Sequence, residues 1–315
     1  MLEKNKIDGL GIALDIRKRL AVKVEELHNT FGICPKIAIV LVGHHEPSEI
    51  YVKQKQKVAG SVGIDAKIIR FEENIKEKDL LQEINILNND NDIHGMIVQL
   101  PLPSGIDAEK VLLTISPTKD IDGLHPLNAG LLHSSKLVPY SIDEVLSLDF
   151  NNTEKRNKFQ QLGKTLPFVP CTPLGCLHLI QKTFSESNED VVGKNAVIFG
   201  NSNLVSKPMA RLLLQSGATT TTLQSRIKNF DYIFENADII VSATGKRQQL
   251  KNIKDGAILI DIGIHKISGQ DGIFGDLNFQ EIVKTNRITP VPKGVGPMTV
   301  ASLMVNSFLS VLRKI

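Results

Sequence analysis

GKNAVIFGNSNLVSKPMARLLLQ, residues 193–215, is the stretch of sequence that decides the fold class. Its apolar run at 196–199 predicts a buried strand, a Gly-Asn-Ser turn begins at Gly200, and the apolar positions of 209–215 predict a helix. This order is typical of nucleotide-binding domains, where phosphates lie at the helix N-terminus because free backbone N–H groups and the helix dipole favour anions. The turn lacks the Gly-x-Gly-x-x-Gly pattern, so the motif by itself fits an α/β domain without a nucleotide equally well.

Strands and helices alternate through the rest of the chain as well. The other predicted elements are strands at 36–43, 66–71, 95–99, 219–223, 239–242 and 257–262, and helices at 8–30, 48–62 and 76–88. Continuous apolar strands between helices predict parallel sheets covered on both faces, so the fold class is α/β. Residues 131–169 interrupt the pattern, and their polar centre at 151–158 predicts an exposed loop, a short added helix or a linker.

Composition limits the classes of function. The chain has 315 residues, enough for two domains, and 37 Lys and Arg against 34 Asp and Glu. No long run of one charge sign occurs, so neither a nucleic-acid nor a membrane partner is indicated. We find no apolar run long enough to span a bilayer and no signal or transit peptide, and we expect a cytoplasmic protein.

The cysteines and histidines also limit the compartment and the kind of site that are expected. Three cysteines at irregular spacing, Cys34, Cys171 and Cys176, form no disulfide framework and fit a reducing compartment. The eight histidines form no ligand motif, and the adjacent pair His44 and His45 would point to opposite faces of a strand. No metal site is therefore expected.

Tyr51 and Lys55 form the first candidate for chemistry. Their spacing of four places both side chains on one face of the predicted helix 48–62, one turn apart. Gln99 ends a predicted strand about forty residues later. A lysine held beside an aromatic ring and a glutamine is a plausible acid/base unit, because removing water from around a lysine favours its neutral amine. An ordinary exposed Tyr–Lys pair would have the same spacing, so the pair alone leaves both interpretations open.

Five segments in a fixed order carry a resemblance to a known family. They are Ser48-x-x-Tyr51-x-x-x-Lys55, Val98-Gln99-Leu100-Pro101-Leu102-Pro103, Lys119-Asp120-Ile121-Asp122-Gly123-Leu124-His125-Pro126 with Asn128 and Gly130, Pro170-Cys171-Thr172-Pro173, and Thr289-Pro290-Val291-Pro292-Lys293-Gly294-Val295-Gly296-Pro297-Met298-Thr299. Together they make nearly the whole chain resemble the bifunctional methylenetetrahydrofolate dehydrogenase/methenyltetrahydrofolate cyclohydrolase family. The resemblance implies oxidation of 5,10-methylenetetrahydrofolate with NADP, followed by hydrolysis of the 5,10-methenyl product to 10-formyltetrahydrofolate.

The resemblance also implies roles for single residues. Lys55 matches the catalytic lysine, Tyr51 the aromatic that lies along the folate, Gln99 the partner that positions the lysine, and Asp122 the carboxylate that holds the pterin. An amide can bond the amine without adding charge, and a carboxylate is a strong acceptor for the N–H donors of a pterin. The other residues implied to bind the folate are Ser48, Val98, Leu100, Pro101 and Pro297. As a turn dipeptide, Asp122-Gly123 also has a purely structural interpretation.

The cofactor residues follow from the same resemblance. They are Thr172, Gly200, Asn201, Ser202, Val205, Ser225, Arg226, Ala243, Thr244, Gly245 and Ile264. The chain departs from the family pattern at two positions of the phosphate turn, where Asn201 stands for an arginine and Ser206 for a glycine. An arginine pairs well with a 2′-phosphate, so NADP is expected but NAD stays open, with Arg226 as a compensating charge. Ser206 could either bond a phosphate or crowd it.

The folate-side loop carries a third departure. Lys293 stands for a glycine there, and its φ is expected to be constrained. It could meet the glutamate tail of a folate or be an ordinary surface lysine.

The implied architecture is two α/β domains around a cleft that holds the substrate. Residues 1–148 form the N-terminal catalytic and folate-binding domain, and a C-terminal helix at 298–315 returns to them. Residues 149–297 form a Rossmann-like NAD(P)-binding domain, and the resemblance implies a homodimer through that domain.

Three alternatives stay open at this point. The departures at Asn201 and Ser206 would also suit a cyclohydrolase whose dehydrogenase activity is weakened or shifted to NAD. A non-catalytic folate-binding protein would use the same fold, but it would not need Lys55. An amino-acid or hydroxy-acid dehydrogenase would explain the Gly-Asn-Ser turn and leave the Pro-Leu-Pro and Pro-Val-Pro segments without a role.

Overall fold

The structure, a computed structural model, describes residues 2–134, 140–150, 152, 166–224, 227, 230–265 and 272–314. The chain forms two compact units, which we call unit 1 (Met1–Leu14 and Pro170–Ser302) and unit 2 (Asp15–Val169 and Leu303–Ile315). Residues 1–14 thus belong to unit 1, with most of the second half of the chain, and residues 149–169 belong to unit 2. The division into 1–148 with 298–315 and 149–297 stays a prediction. Much of the interrupting segment, at 135–139, 151 and 153–165, lies outside the described residues.

Unit 2 is built on a parallel sheet of the order β2-β1-β3. Its elements are α1 (Gly9–Phe31, entering from unit 1), β1 (Lys36–Val42), α2 (Glu46–Ser61), β2 (Asp65–Phe71), α3 (Glu77–Asn89), β3 (Gly95–Val98), α4 (Ala108–Thr114), α5 (Pro126–Leu132) and α6 (Ile142–Leu146). The central strand β1 is buried from its second residue onward, as the continuous apolar run predicts. On one face of the sheet, Leu80 and Ile84 of α3 pack with Val40 and Met96 in a fully buried cluster.

Unit 1 contains a larger parallel sheet of the order β5-β4-β6-β7-β8. Its elements are a 3₁₀ turn (Leu2–Asn5), α7 (Cys171–Ser185), β4 (Asn195–Phe199), α8 (Ser206–Gln215), β5 (Thr219–Leu223), α9 (Asp231–Phe234), β6 (Ile239–Ser242), β7 (Ile258–Asp261), α10 (Phe279–Ile282), β8 (Arg287–Ile288) and α11 (Val295–Leu312, ending in unit 2). Numbered from β4, this strand order is 2-1-3-4-5, one of the two common orders of doubly wound nucleotide-binding folds. The α/β fold class expected from residues 193–215 is therefore confirmed.

Helix α11 corrects one expectation. By length and apolar composition, Val295–Leu312 could cross a membrane, so the statement that no apolar run is long enough was wrong. In the folded chain 83% of this helix is buried inside the protein. An apolar helix of this kind is what the core of a large soluble domain also requires.

Asn306 is the polar residue that fixes the end of α11 within unit 2. It is fully buried, and its Nδ2 donates to the backbone oxygens of Ile121 (2.8 Å) and Val169 (2.9 Å). Its Oδ1 accepts from the Tyr140 hydroxyl at 2.5 Å. Because buried polar groups must be hydrogen-bonded, this one amide fixes the chain at Ile121, Tyr140 and Val169 to the helix.

We expect Asn306→Leu to lower the free energy of unfolding by about 3 kcal/mol. The substitution takes the Asn306 amide away from three buried partners, the backbone oxygens of Ile121 and Val169 and the Tyr140 hydroxyl, and each buried group left unsatisfied costs roughly 1–3 kcal/mol. Urea denaturation of the full chain measures this. The matched control is Ser307→Ala. The buried Ser307 hydroxyl donates to Leu303 O of its own helix, its one partner within the described ranges, so the substitution should cost less than about 1 kcal/mol. An equal loss of unfolding free energy in the two variants would contradict the role of Asn306 in fixing these segments to α11.

Candidate functional site

Lys55 and Tyr51 lie along the buried face of α2. This face carries the buried residues Ser48, Val52, Val58 and Ala59, and Lys55 is three or four positions from the last three of them. Because side chains three or four positions apart share a face, Lys55 is half-buried there, and Tyr51 (38% exposed) lies one turn away from it. The predicted spacing is therefore present on a real helix, and the Lys55 ammonium can reach a neighbouring strand.

Gln99 is the neighbour that Lys55 reaches. Lys55 Nζ donates to Gln99 Oε1 at 2.9 Å. The backbone N–H of Gln99 donates to Val40 O (2.9 Å), which places the residue at the end of β3, and its Nε2 donates to Leu100 O (2.7 Å). Since Nε2 is held by a carbonyl, the amide oxygen must face the lysine. The structure thus brings the two residues together with the amide correctly oriented, while their catalytic roles stay a prediction.

The other predicted folate-binding residues of unit 2 are close in sequence to Lys55 or Gln99. Ser48 is 2% exposed, and its hydroxyl lies 2.8 Å from Nδ1 of His45, the residue that precedes α2. The Val98 side chain is buried in the core, so it offers a ligand no side-chain surface. Leu100 and the exposed Pro101 are joined by a cis peptide bond.

Asp122 stands in a turn that is held by a different carboxylate, Asp120. Asp120 is 1% exposed and accepts from the backbone N–H groups of Leu124 (3.2 Å) and His125 (2.8 Å) and from Asn128 Nδ2 (2.8 Å). Burial raises the pKa of Asp120 to about 7, and the charge of Asp122 adds to this increase. Within the described part of the chain the carboxylate of the half-buried Asp122 makes no hydrogen bond, so it is available to a ligand.

The turn after β4 lies at the switch point of the sheet in unit 1. The strand order reverses between β4 and β6, and ligands of doubly wound folds bind outside the carboxyl ends of the strands at that point. Gly200 directly follows β4 and has φ 141°. A Cβ added to it would lie 2.5 Å from the backbone oxygen of Ala243, the residue after β6. Only glycine allows the two loops to approach this closely.

The first N–H groups of α8 have acceptors within the turn itself. Ser202 Oγ accepts from the N–H groups of Val205 (3.1 Å) and Ser206 (3.2 Å), and Ser202 O accepts from that of Lys207 (3.1 Å). Pro208 has no N–H group. Among the described residues no acceptor is found for the four preceding N–H groups, 201–204. The N–H groups of this turn that have no acceptor in the described chain are therefore loop amides rather than helix amides, and the place of a phosphate stays a prediction.

Ser206 lies inside the turn. It is fully buried, and its Oγ lies 3.5 Å from Ser202 Oγ and 2.7 Å from where a Cβ added to Gly200 would stand. The hydroxyl is thus closed off from solvent, and its two expected roles toward a phosphate stay predictions. Asn201 is exposed at the tip of the turn. Ser225 and Arg226, the other predicted cofactor residues of this region, lie outside the described residues.

Two buried aspartates that the sequence reasoning missed support the remaining cofactor loops. Asp276 accepts from Thr244 N (2.8 Å) in the predicted segment 243–245. Asp261, at the end of β7, accepts from the N–H groups of Gly263 (3.0 Å), Asp276 (2.9 Å) and Leu277 (2.8 Å). Burial raises the pKa of Asp261 to about 6. Asp261 directly follows the apolar segment 257–260, a signal that could have identified it, whereas Asp276 follows Gly275 and has no such signal.

The last predicted residues of unit 1 lie near the ends of its helices and loops. Thr172, in the first turn of α7, has its hydroxyl 3.0 Å from that of Thr299, and Pro297 stands in the first turn of α11. Ile264 is 57% exposed. Lys293 is exposed and has φ 82°, a backbone conformation that favours glycine, so its φ is constrained as expected.

Metal ligation has no candidate in the described ranges. No group of three or more His, Cys, Asp or Glu side chains there is arranged to hold a metal ion.

Comparison with known proteins identifies the family of both halves. Residues 7–122 match the family described as tetrahydrofolate dehydrogenase/cyclohydrolase, catalytic domain, and residues 170–315 match the NAD(P)-binding domain of the same description. The chain is 42% identical over 313 residues to the bifunctional protein FolD of Campylobacter concisus, covering 98% of each chain. It is also 42% identical to that of Rickettsia bellii, covering 96% of each.

Solved structures agree with this assignment. The bifunctional FolD enzyme of Campylobacter jejuni, a methylenetetrahydrofolate dehydrogenase/cyclohydrolase, superposes with a TM-score of 0.83 at 36% identity, over 98% of this chain and 99% of that one. The Trypanosoma brucei methylenetetrahydrofolate dehydrogenase-cyclohydrolase, solved with NADP and an inhibitor, gives a TM-score of 0.82 at 30% identity, over 98% and 97%. From the two matched domains and these relatives, the chain belongs to the tetrahydrofolate dehydrogenase/cyclohydrolase family.

Proposed function

We propose that this chain is a bifunctional enzyme that oxidises 5,10-methylenetetrahydrofolate with NADP and hydrolyses 5,10-methenyltetrahydrofolate to 10-formyltetrahydrofolate. The observation that carries the proposal is the bond from Lys55 to the oriented amide of Gln99, beside the exposed ring of Tyr51. A protein that only bound folate would need neither the lysine nor its orientation. The family and the NADP complex of the Trypanosoma brucei relative support the same conclusion.

Lys55 is the proposed acid/base residue of hydrolysis. Its amine accepts a proton from the attacking water, and general-base help of this kind is worth roughly 10²–10⁴-fold in rate. Gln99 holds the amine with a neutral acceptor, so it adds no charge while a cationic methenyl group lies nearby. Asp122 accepts from the N–H donors of the pterin, and Tyr51 packs along the folate. In this proposal Ser48, Leu100 and Pro101 complete the surface of unit 2 that receives the folate.

Unit 1 has the features required to hold NADP. The backbone N–H groups of 201–204 would bind its phosphates, Thr244 and Gly245 line the second loop at the switch point, and Ile264 offers an exposed apolar side chain. In this proposal Thr172, Gly200, Ser202 and Val205 form the neighbouring surface. Ser225 and Arg226, which lie outside the described residues, stay cofactor residues by resemblance alone. When bound, NADP accepts the hydride that leaves the one-carbon bridge of the folate. The inward position of Ser206 leaves this site open, which favours two activities over hydrolysis alone.

We expect the wild-type chain to reduce NADP with methylenetetrahydrofolate and to hydrolyse methenyltetrahydrofolate. Parallel assays with NADP and with NAD measure the first reaction, and loss of methenyl absorbance measures the second. Hydrolysis without reduction of either nicotinamide would contradict the dehydrogenase. A folded protein with neither activity would leave only the folate-binding alternative.

In the same assays Lys55→Met should lower hydrolysis by roughly 10²-fold or more, because it removes the proton acceptor and keeps the length of the side chain. Lys57→Met is the matched control, since Lys57 is an exposed lysine of the same helix, and it should behave like the wild type. Hydrolysis that persists in Lys55→Met would show that another group accepts the proton.

Cofactor preference should depend on the charge at position 201. Asn201→Arg is expected to tighten NADP binding about tenfold relative to NAD, a difference of about 1.4 kcal/mol, because a guanidinium pairs with the 2′-phosphate that only NADP carries. Calorimetric titration with both cofactors measures it. Asn201→Gln, a larger side chain without charge, serves as the control, and an equal gain for NAD and NADP would contradict recognition of the 2′-phosphate.

We also propose a homodimer formed through unit 1, and no nucleic-acid or membrane partner. Support comes from β5, which lies at the edge of the described sheet and exposes Thr219, Thr221 and Thr222. An open edge strand offers unpaired backbone groups to a second chain. Sedimentation should give about twice the chain mass of 34.7 kDa, whereas a monomer mass at micromolar concentration would contradict the dimer.

A further inference from the structure

Asp276 is a fully buried carboxylate with several hydrogen-bond partners. Its Oδ2 lies 3.0 Å from Ser242 Oγ, 2.8 Å from Thr244 N and 3.0 Å from Thr244 Oγ1. Two of these three contacts belong to Thr244, in the proposed cofactor loop 243–245. The single hydroxyl hydrogen of Thr244 is shared with Lys246 O at 2.8 Å. A buried carboxylate is tolerated only when its oxygens are satisfied in this way, and the proposed chemistry of the folate site makes no use of it.

His265 reaches the other oxygen of the same carboxylate. Its Nε2 lies 2.7 Å from Asp276 Oδ1, and its ring is only 18% exposed. The backbone of His265 exchanges two hydrogen bonds with Phe274, at 2.7 and 2.9 Å, so the residue is fixed at both main chain and side chain. It directly follows Ile264, the exposed apolar residue proposed to contact the cofactor.

The segments around Gly263 and Asp276 pack closely against each other. A Cβ added to Gly263 would lie 2.1 Å from Asp276 Oδ1, so the chain before Ile264 passes directly against the carboxylate. Behind it, Asp261 accepts from the N–H groups of both Gly263 and Asp276. One side of Asp276 therefore holds the loop after β6 and the other side holds the loop after β7.

We propose that Asp276 and His265 are positioning residues that couple the two cofactor loops, 243–245 and the segment around Ile264, into one rigid surface for NADP. This inference rests on the proposed binding of NADP to unit 1. Neither residue touches the reacting atoms in the proposal; each acts through the loop that it holds. The expected consequence is that weakening this contact lowers affinity for the cofactor and leaves folate hydrolysis, which depends on Lys55 and Gln99, unchanged.

A pair of substitutions at His265 tests the coupling. His265→Phe keeps a ring of similar shape and removes the donor, and it should weaken NADP binding at least fivefold. His265→Gln returns an amide donor at similar reach, and it should bind NADP within about twofold of the wild type. Calorimetric titration gives the dissociation constants, and methenyltetrahydrofolate hydrolysis, measured on the same samples, should stay within about twofold in both variants.

Two further variants keep the test decisive. Ser242→Ala removes one donor to Oδ2 and should weaken NADP binding two- to fivefold, so it carries the test if His265→Phe does not fold. Gln249→Ala changes an exposed side chain of the same region and should bind NADP like the wild type.

Two results would overturn the inference. One is unchanged NADP affinity in His265→Phe and Ser242→Ala, and the other is a parallel loss of NADP binding and hydrolysis, which would indicate a general structural defect. A wild-type chain that does not bind NADP would defeat the proposed dehydrogenase itself, a separate outcome that is visible before any variant is made.

Discussion

Backbone N–H groups at the carboxyl ends of parallel strands need acceptors, and buried carboxylates supply them in both units. Asp120 holds the turn that carries Asp122, while Asp261 and Asp276 hold the loops after β7 and β6. This arrangement has an energetic cost, because burial raises the pKa of Asp120 to about 7 and that of Asp261 to about 6. A carboxylate is still the better acceptor, since one such group can satisfy three or four donors in a small volume.

The same constraint separates groups that hold the loops from groups that are free to bind. Asp120 and Asp122 are two residues apart. Asp120 is buried and its oxygens accept hydrogen bonds from the protein, while Asp122 is half-buried with no hydrogen bond in the described part of the chain. One carboxylate thus stabilises the turn, and the other is available to a ligand. Gln99 combines both functions in one side chain. Its Nε2 donates to the backbone carbonyl of Leu100, which orients the amide so that its oxygen accepts from Lys55.

Most of the fold could be predicted because it is local. The strand 219–223 is predicted to the residue, and β1 and β3 differ by one residue at their ends, since continuous apolar runs bounded by turns leave few alternatives. Helix α8 begins at Ser206, three residues before the apolar positions indicate, because the Ser202 hydroxyl satisfies its first amides. The contact between Lys55 and Gln99 was predictable only from the resemblance. The partners of Asp276 join residues up to 34 positions apart, and no local pattern encodes them.

The phosphate turn shows why two departures from one motif carry different weight. Ser206 and Asn201 both replace family residues, but Ser206 lies inside the turn, against Gly200 and Ser202, where its hydroxyl meets only the protein. Asn201 is exposed, next to loop amides for which the described chain offers no acceptor. A buried serine leaves the number of donors facing a phosphate unchanged. Replacing an exposed arginine by asparagine removes a full charge and a bidentate fork from that surface. In the proposed function Asn201 is therefore the departure expected to bear on cofactor choice, because it changes what a 2′-phosphate would meet.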